Sequence, residues 1–177
     1  SQNEFHLDDG QVSVVDMLNW DGMSIKLSES GDYSFMDIPF EKDLFLLSII
    51  QPDDANKLHD LIDIFSVDEL HYNIDNSVDH RANISLPELD FNADNSLKST
   101  LSNVGLNQIF DESADLSPSF NETRQKLLDI NHLSKIRMNN VAISKSGSSF
   151  SNMNLRTIQV NKPFLYFVRD KHTNTLL

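Results

Sequence analysis

The chain has 177 residues, a usual length for a single domain with one sizeable core. Apolar residues make up 39% and charged residues 23%, which is the composition of a globular protein and excludes a disordered chain. The formal charge of −13 disfavours nucleic acids and anionic membrane surfaces as partners. Because there is no cysteine, disulfides, thiol catalysis and thiolate metal sites are excluded.

The first third of the chain predicts an antiparallel meander. Residues 12–18 are apolar and β-branched, and residues 23–27 alternate apolar with polar side chains, as strands do. A turn at 30–32 separates them from two further apolar segments, 33–39 and 44–50, which we interpret as the next two strands. No apolar run reaches the roughly 20 residues of a membrane span.

Helices are predicted after the meander. Residues 55–65 carry apolar side chains at helical spacing, and Ser66 with Glu69 has the capping-box spacing for a second short helix. The apolar residues on the first helix face are Leu58, Leu61, Ile62 and Phe65. Beyond them, apolar residues over 82–91 predict two strand pieces that meet at Pro87, since proline cannot donate to a strand ladder.

The last part of the chain combines one helix, one long loop and several strands. Helical spacing over 96–104 predicts a helix that ends at Gly105, and residues 144–154 are rich in serine and asparagine, which predicts a loop. Strands are predicted at 136–143, 155–160 and 164–168, with another starting at Thr175. The fold class is therefore α+β, dominated by antiparallel strands.

Four local motifs indicate the protein family, which periodicity alone does not. Residues 158–170, with their Pro-Phe pair and apolar strand, resemble the segment that follows the reactive loop of serpins. Residues 105–117 are similar to that family's Gly-Met … Phe … Ala-Asp-Phe-Ser pattern, 84–91 to its Leu-Pro-Lys-Phe strand pair, and 35–40 to its Glu-Leu-Pro-Tyr hairpin. The motifs follow the family's order at nearly its spacing, so the chain is identified as a member of the serpin family.

The resemblance implies the C-terminal half of a serpin fold over residues 1–177, with antiparallel sheets B and C, part of sheet A and few helices. An N-terminal half and the extreme C-terminal tail would then lie outside this sequence, and residues 144–157 would be the equivalent of the reactive loop. Serpins are typically secreted, and many are glycoproteins. Two glycosylation sequons start at Asn83 and Asn121. Asn121 is the better candidate because Asn83 lies in a predicted strand.

The hinge of the reactive loop departs from the pattern that inhibition requires. Inhibitory serpins insert the cleaved loop into sheet A as a new strand, and every second side chain of a strand lies on the same face. The hinge residues here are Gly147, Ser148, Ser149 and Phe150. Lys145 replaces the family's glutamate, and Phe150, Asn152 and Asn154 would fall on the buried face, where small side chains are needed.

The length of the loop also argues against inhibition. Sixteen positions separate Gly147 from Pro163, fewer than inhibitory members of the family have. Counting back from Pro163 by the family's spacing places the cleaved bond near Asn152, almost inside the hinge. The candidate protease-cleavage residue is Arg156, which a trypsin-like protease would favour but which falls in the strand after the loop.

The sequence therefore predicts a secreted, extracellular protein of the serpin family that does not inhibit proteases. The alternative is a serine-type endopeptidase inhibitor that acts by loop cleavage and insertion, with Arg156 or a neighbour as bait. A loop this degraded also resembles those of rapidly diverging seminal-fluid serpins of insects. No catalytic constellation, metal site or cofactor motif is found, so an enzyme is not expected. The expected partner is a serine protease or another extracellular protein.

Overall fold

The computed structural model describes residues 1–116, 126–138 and 155–177, with the backbone but not the side chain of Glu41. The chain divides into two compact units, which we describe separately. The sheet unit comprises residues 1–88 and 138–177, and the ribbon unit comprises residues 89–137.

The described residues contain nine strands and three α-helices. The strands are β1 (Gln2–His6), β2 (Val12–Glu29), β3 (Tyr33–Pro39), β4 (Phe45–Pro52), β5 (Val78–Pro87), β6 (Asp90–Ser96), β7 (Asn131–Arg137), β8 (Arg156–Gln159) and β9 (Leu165–Asp170). The helices are α1 (Leu58–Ile64), α2 (Val67–Asn76) and α3 (Lys98–Leu101). Short 3₁₀ turns lie at Glu41–Asp43, Ala55–Lys57 and Asn107–Phe110, and a π-helical turn lies at Ser102–Leu106.

Seven strands of the sheet unit form one sheet in the order β8-β5-β2-β3-β4-β9, with β1 paired to the first part of β2. Strands β5 and β8 run parallel, and every other pairing in this sheet is antiparallel. The predicted meander is confirmed in β3 and β4, which follow a turn through Gly31 (φ 82°). Strand β1 was not predicted because its residues are mostly polar and it takes its place only by pairing with β2.

The prediction of two separate strands over 12–18 and 23–27 is wrong, because one strand of 18 residues, β2, covers both. The register shifts between Trp20 and Met23, as at a β-bulge, and Gly22 adopts a positive φ of 62° there. The side-chain oxygen of Asn83 on β5 accepts a 3.0 Å hydrogen bond from the Gly22 N–H. A bulge held in this way lets β2 bend without ending.

One hydrophobic cluster of the sheet unit lies between the sheet and the two helices that follow β4. Tyr33 and Phe35 of β3 and Ile50 of β4 cluster with Leu61 of α1 and Leu70 of α2. These residues alternate along their strands with others that lie on the opposite face, as the two-residue period of a strand requires. The helices therefore cover one part of one sheet face.

Both helices predicted after β4 are present with adjusted bounds. The first consists of the 3₁₀ turn Ala55–Lys57 followed by α1, and Ile62 of α1 is exposed rather than on the buried face. The predicted cap of the second is confirmed, since the Ser66 hydroxyl accepts a 3.1 Å hydrogen bond from the Glu69 N–H. Among the described helices, none has the length and apolar character needed to cross a membrane.

The ribbon unit is built on the antiparallel pair β6 and β7. Strand β5 ends at Pro87 and β6 begins at Asp90, so the predicted break at the proline is confirmed. The helix predicted over 96–104 is reduced to α3 and a π-helical turn that contains Gly105 at φ 95°. Of the strand predicted over 136–143, β7 includes residues 136 and 137, and residues 139–143 lie outside the described residues.

Candidate functional site

Residues 144–157, the predicted reactive-loop equivalent, are described only at their C-terminal end. Residues 144–154, which include the predicted hinge Gly147, Ser148, Ser149 and Phe150, lie outside the described residues, as does the sequon residue Asn121. Residues 155–157 are described and lead into β8. The geometry of the candidate site is therefore that of β8 and the strands beside it.

Strand β8 is a short edge strand. It pairs in parallel with β5, with Arg156 opposite Ala82 and Gln159 opposite Ser85. A hydrogen bond of 2.8 Å from the N–H of Val160, which is fully buried, to the Ser85 carbonyl continues the pairing past the strand end. The Leu155 side chain lies beside the β2 bulge, 3.5 Å from where a Cβ on Gly22 would be. The chain is thus tied to the sheet from residue 155 onward.

Arg156, the candidate cleavage residue, makes an ion pair in this position. Its guanidinium donates to both carboxylate oxygens of Glu29 at the end of β2, with a distance of 3.1 Å from Nη1 to Oε2. Both side chains remain about half exposed, at 54% for Arg156 and 48% for Glu29. The hydrogen bonds from Arg156 hold the pKa of Glu29 below its usual value, and Glu29 raises the pKa of Arg156.

Asn83, the other sequon residue, lies inside the sheet next to β8. It pairs with Thr157 of β8, and its side-chain oxygen is occupied by the hydrogen bond from Gly22. The hydroxyl-bearing residue of the sequon, Ser85, is buried. Glycosylation of Asn83 stays a prediction. In the structure, the Asn83 side chain has a structural role, because it accepts the hydrogen bond from Gly22 at the bulge.

A buried ionic cluster at the opposite sheet edge was not predicted from the sequence. Arg169 of β9 donates from Nε to the Ser48 hydroxyl at 2.8 Å and from its two terminal nitrogens to Asp37 and Asn174. The Arg169 and Asp37 side chains are 2% and 1% exposed. Burial raises the pKa of Asp37, although Ser48 and Arg169 favour its ionised form.

Two interruptions of the apolar pattern could have revealed this cluster. Asp37 breaks the apolar strand β3, and Ser48, which breaks the apolar run of β4, is its cross-strand partner. A cavity of about 390 Å³ opens over the cluster, lined also by Lys26 and by Lys171, which pairs with Asp43. Within the described ranges, no group of three or more His, Cys, Asp or Glu side chains is arranged to hold a metal ion.

Comparisons with known proteins agree with the motifs. A family profile described as "Serpin (serine protease inhibitor)" matches residues 1–177. The chain is 25% identical to alpha-1-antitrypsin of Sus scrofa over 181 residues, which cover 100% of this chain and 43% of that protein. It is 30% identical to Iripin-3 of Ixodes ricinus over 111 residues, which cover 59% of this chain and 28% of that protein.

Solved structures show the same fold. Uncleaved ovalbumin superposes with a TM-score of 0.82 at 18% identity, over 100% of this chain and 46% of that one. Mouse protein-Z dependent protease inhibitor also superposes with a TM-score of 0.82, at 17% identity, over 100% of this chain and 47% of that one. The chain spans less than half the length of these relatives. Its fold is that of part of a serpin, and the chain belongs to the serpin family.

Proposed function

We propose that this serpin-family protein is secreted and does not trap proteases, and that residues 144–157 are a shortened equivalent of the reactive loop. The observation that carries the proposal is the start of β8 at Arg156. Only eight residues, 148–155, separate the hinge glycine, Gly147, from that strand. At about 3.3 Å per residue they span about 26 Å when fully extended, and the same stretch has to supply both the cleaved bond and the inserted strand.

The composition of these residues supports the same conclusion. In a strand inserted from Gly147, the side chains of 148, 150, 152 and 154 share one face. Burial of Asn152 and Asn154 without hydrogen-bond partners costs about 1–3 kcal/mol each. Phe150 adds an overpacking cost of about 1–3 kcal/mol where a small side chain is needed. Insertion would therefore gain less free energy than it does with a hinge of small residues.

A second candidate function is serine-type endopeptidase inhibition with Arg156 as bait. The family description favours it, and the half-exposed Arg156 side chain is of the type that a trypsin-like protease recognises. To serve as bait, Arg156 would have to give up its bonds to Glu29 and its pairing with β5. This candidate thus needs β8 to open before a protease can act.

The test uses the protein in its complete natural form, incubated with trypsin-like and chymotrypsin-like serine proteases and separated on denaturing gels. We expect no covalent complex. An Arg156→Ala variant serves as the matched control. A complex that survives denaturation would overturn the proposal, and its loss in Arg156→Ala would establish the second candidate. Simple cleavage after Arg156 without a trapped complex agrees with a non-inhibitory protein.

A further inference from the structure

A second cavity, of about 500 Å³, lies between the turn at 30–32, the end of β4 and helices α1 and α2. We call it the turn cavity. It lies within the sheet unit, on the sheet face that the two helices cover, and none of its lining residues belongs to β8 or the loop equivalent. Its volume is within the range of small-molecule sites in proteins, about 300–1,000 Å³.

One wall of the turn cavity is aromatic. The ring of Tyr33 packs edge-on against Phe65, with centroids 6.5 Å apart and planes at 80°. Phe65 in turn stacks on Phe167 of β9, with centroids 6.0 Å apart. Leu61 of α1 adds a buried aliphatic surface. The faces of aromatic rings carry negative potential, so a wall of this kind attracts cations as well as apolar groups.

The charged residues of the turn cavity are mostly acidic. Three carboxylates, from Asp32, Asp60 and Glu69, line it together with a single ammonium, from Lys57. Lys57 lies 3.8 Å from Asp32, and within the described part of the chain neither Asp60 nor Glu69 has a salt-bridge partner. Among the residues that the structure describes, the cavity therefore offers two carboxylates without a cationic partner.

The Glu69 carboxylate is held in place before any ligand arrives. The Tyr33 hydroxyl donates to it, and the Asn73 side-chain amide donates to the Tyr33 oxygen at 2.7 Å and to the Glu69 backbone carbonyl at 2.8 Å. Asn73 is fully buried, so its bond to Tyr33 is shielded from water, while the bonds to Glu69 are partly buried. Burial and the bond to Glu69 raise the pKa of Tyr33, which keeps its hydroxyl protonated as a donor.

This combination selects one class of ligand. An anion is repelled by the uncompensated carboxylates, and a hard metal ion needs about six or more oxygen ligands, which an aromatic wall does not supply. A positively charged nitrogen on an apolar body meets both parts of the cavity, the carboxylates with its charge and the rings with its hydrocarbon. We propose that the turn cavity binds an organic amine whose ammonium group lies between Asp60 and Glu69 and whose apolar body packs on Tyr33 and Phe65.

The proposal is tested by calorimetric titration of the complete natural protein with 2-phenylethylamine near pH 7. Its neutral analogue 2-phenylethanol and its anionic analogue phenylacetate have similar apolar bodies. We expect the amine to bind about tenfold more tightly than the alcohol, with weaker binding as salt is raised, and phenylacetate not to bind. Equal affinities for amine and alcohol, or no heat from the amine at millimolar concentration, would overturn the proposal.

Two variants of exposed residues on α1 locate the site. Asp60→Asn removes a carboxylate that lines the cavity and should weaken amine binding about three- to tenfold. Asp63→Asn removes the same charge from the same helix outside the lining, and should leave binding unchanged. Equal losses in the two variants would mean a diffuse acidic field rather than a site. The outcome is independent of protease inhibition, because neither the loop equivalent nor β8 lines this cavity.

Discussion

The two outer strands of the seven-stranded sheet, β8 and β9, are held by ion pairs that differ in burial. Strand β8 has four residues, runs parallel to its neighbour and carries an ion pair, Arg156–Glu29, that is about half exposed. Strand β9 has six residues, runs antiparallel to β4 and carries the fully buried pair Arg169–Asp37. Each edge thus has one arginine–carboxylate bridge, which is half exposed at β8 and buried at β9.

This difference in burial determines what each bridge contributes to the free energy of unfolding. Exposed ion pairs contribute about 0–1 kcal/mol because water and salt screen them. A buried pair contributes little in total, yet the loss of one member leaves a charge without a partner and costs about 3–5 kcal/mol. The β9 edge should therefore be intolerant of single substitutions. The β8 edge, which follows the proposed loop equivalent in the chain, should be the easier one to open.

The largest effect is expected for Arg169→Met. It leaves the Asp37 carboxylate buried without its guanidinium partner and should lower the free energy of unfolding by about 3–5 kcal/mol. Urea unfolding of the complete natural protein, followed by circular dichroism, measures the loss. Lys171→Met is the matched control, since it removes the same charge two residues further along, from the more exposed Lys171–Asp43 pair.

We expect Lys171→Met to cost no more than about 1 kcal/mol. Adding Asp37→Leu to Arg169→Met removes the stranded charge and should recover most of the lost stability. If Arg169→Met costs no more than Lys171→Met, the buried bridge is not what holds the β9 edge.

An intermediate effect is expected for Asn83→Ala. Asn83 lies on β5, between β8 and β2, and bonds to the bulge of β2. The substitution removes the acceptor of the partly buried Gly22 N–H and should cost about 0.5–1.5 kcal/mol, the net contribution of one hydrogen bond. Asn92→Ala on the exposed face of β6 is the control and should be neutral within about 0.5 kcal/mol. Equal effects of the two substitutions would show that the bulge does not depend on Asn83.

Local patterns predicted much of the sheet but not the features that join its strands. The apolar segment of β3, the apolar run of β4 and the Ser66 cap are each encoded within a few residues, and all three are present. Strand β1 has no apolar pattern of its own, and the Gly22 bulge depends on a residue 61 positions away. Such features arise only when distant segments meet.

In the candidate site, too, contacts between distant residues could not be predicted from local sequence patterns. That Arg156 falls in a strand followed from the motif alignment, but its bond to Glu29 joins residues 127 positions apart. In the buried cluster, Asp37 and Ser48 could be seen as polar interruptions, whereas Arg169 at the end of an apolar strand gave no local sign of burial. Pairings of this length depend on sheet order, which periodicity does not determine.

The smallest effect is expected for Glu29→Gln, which removes the charge that pairs with Arg156 at the β8 edge. At neutral pH the cost should be about 0.2–1 kcal/mol, because both side chains are about half exposed. Arg156 lowers the pKa of folded Glu29 below its ordinary 4.5, so the pair stabilises the protein above that pH. The contribution is lost as pH falls through the folded pKa.

Unfolding curves of the natural protein and Glu29→Gln should therefore differ slightly at pH 7 and converge as the pH drops below 4.5. High salt should also bring them together, because it screens an exposed pair. A difference that persists at low pH would mean that Glu29 acts through packing. A loss at pH 7 as large as that of Arg169→Met would mean that the two sheet edges are equally fixed, and a protease could then reach Arg156 only after the sheet itself had opened.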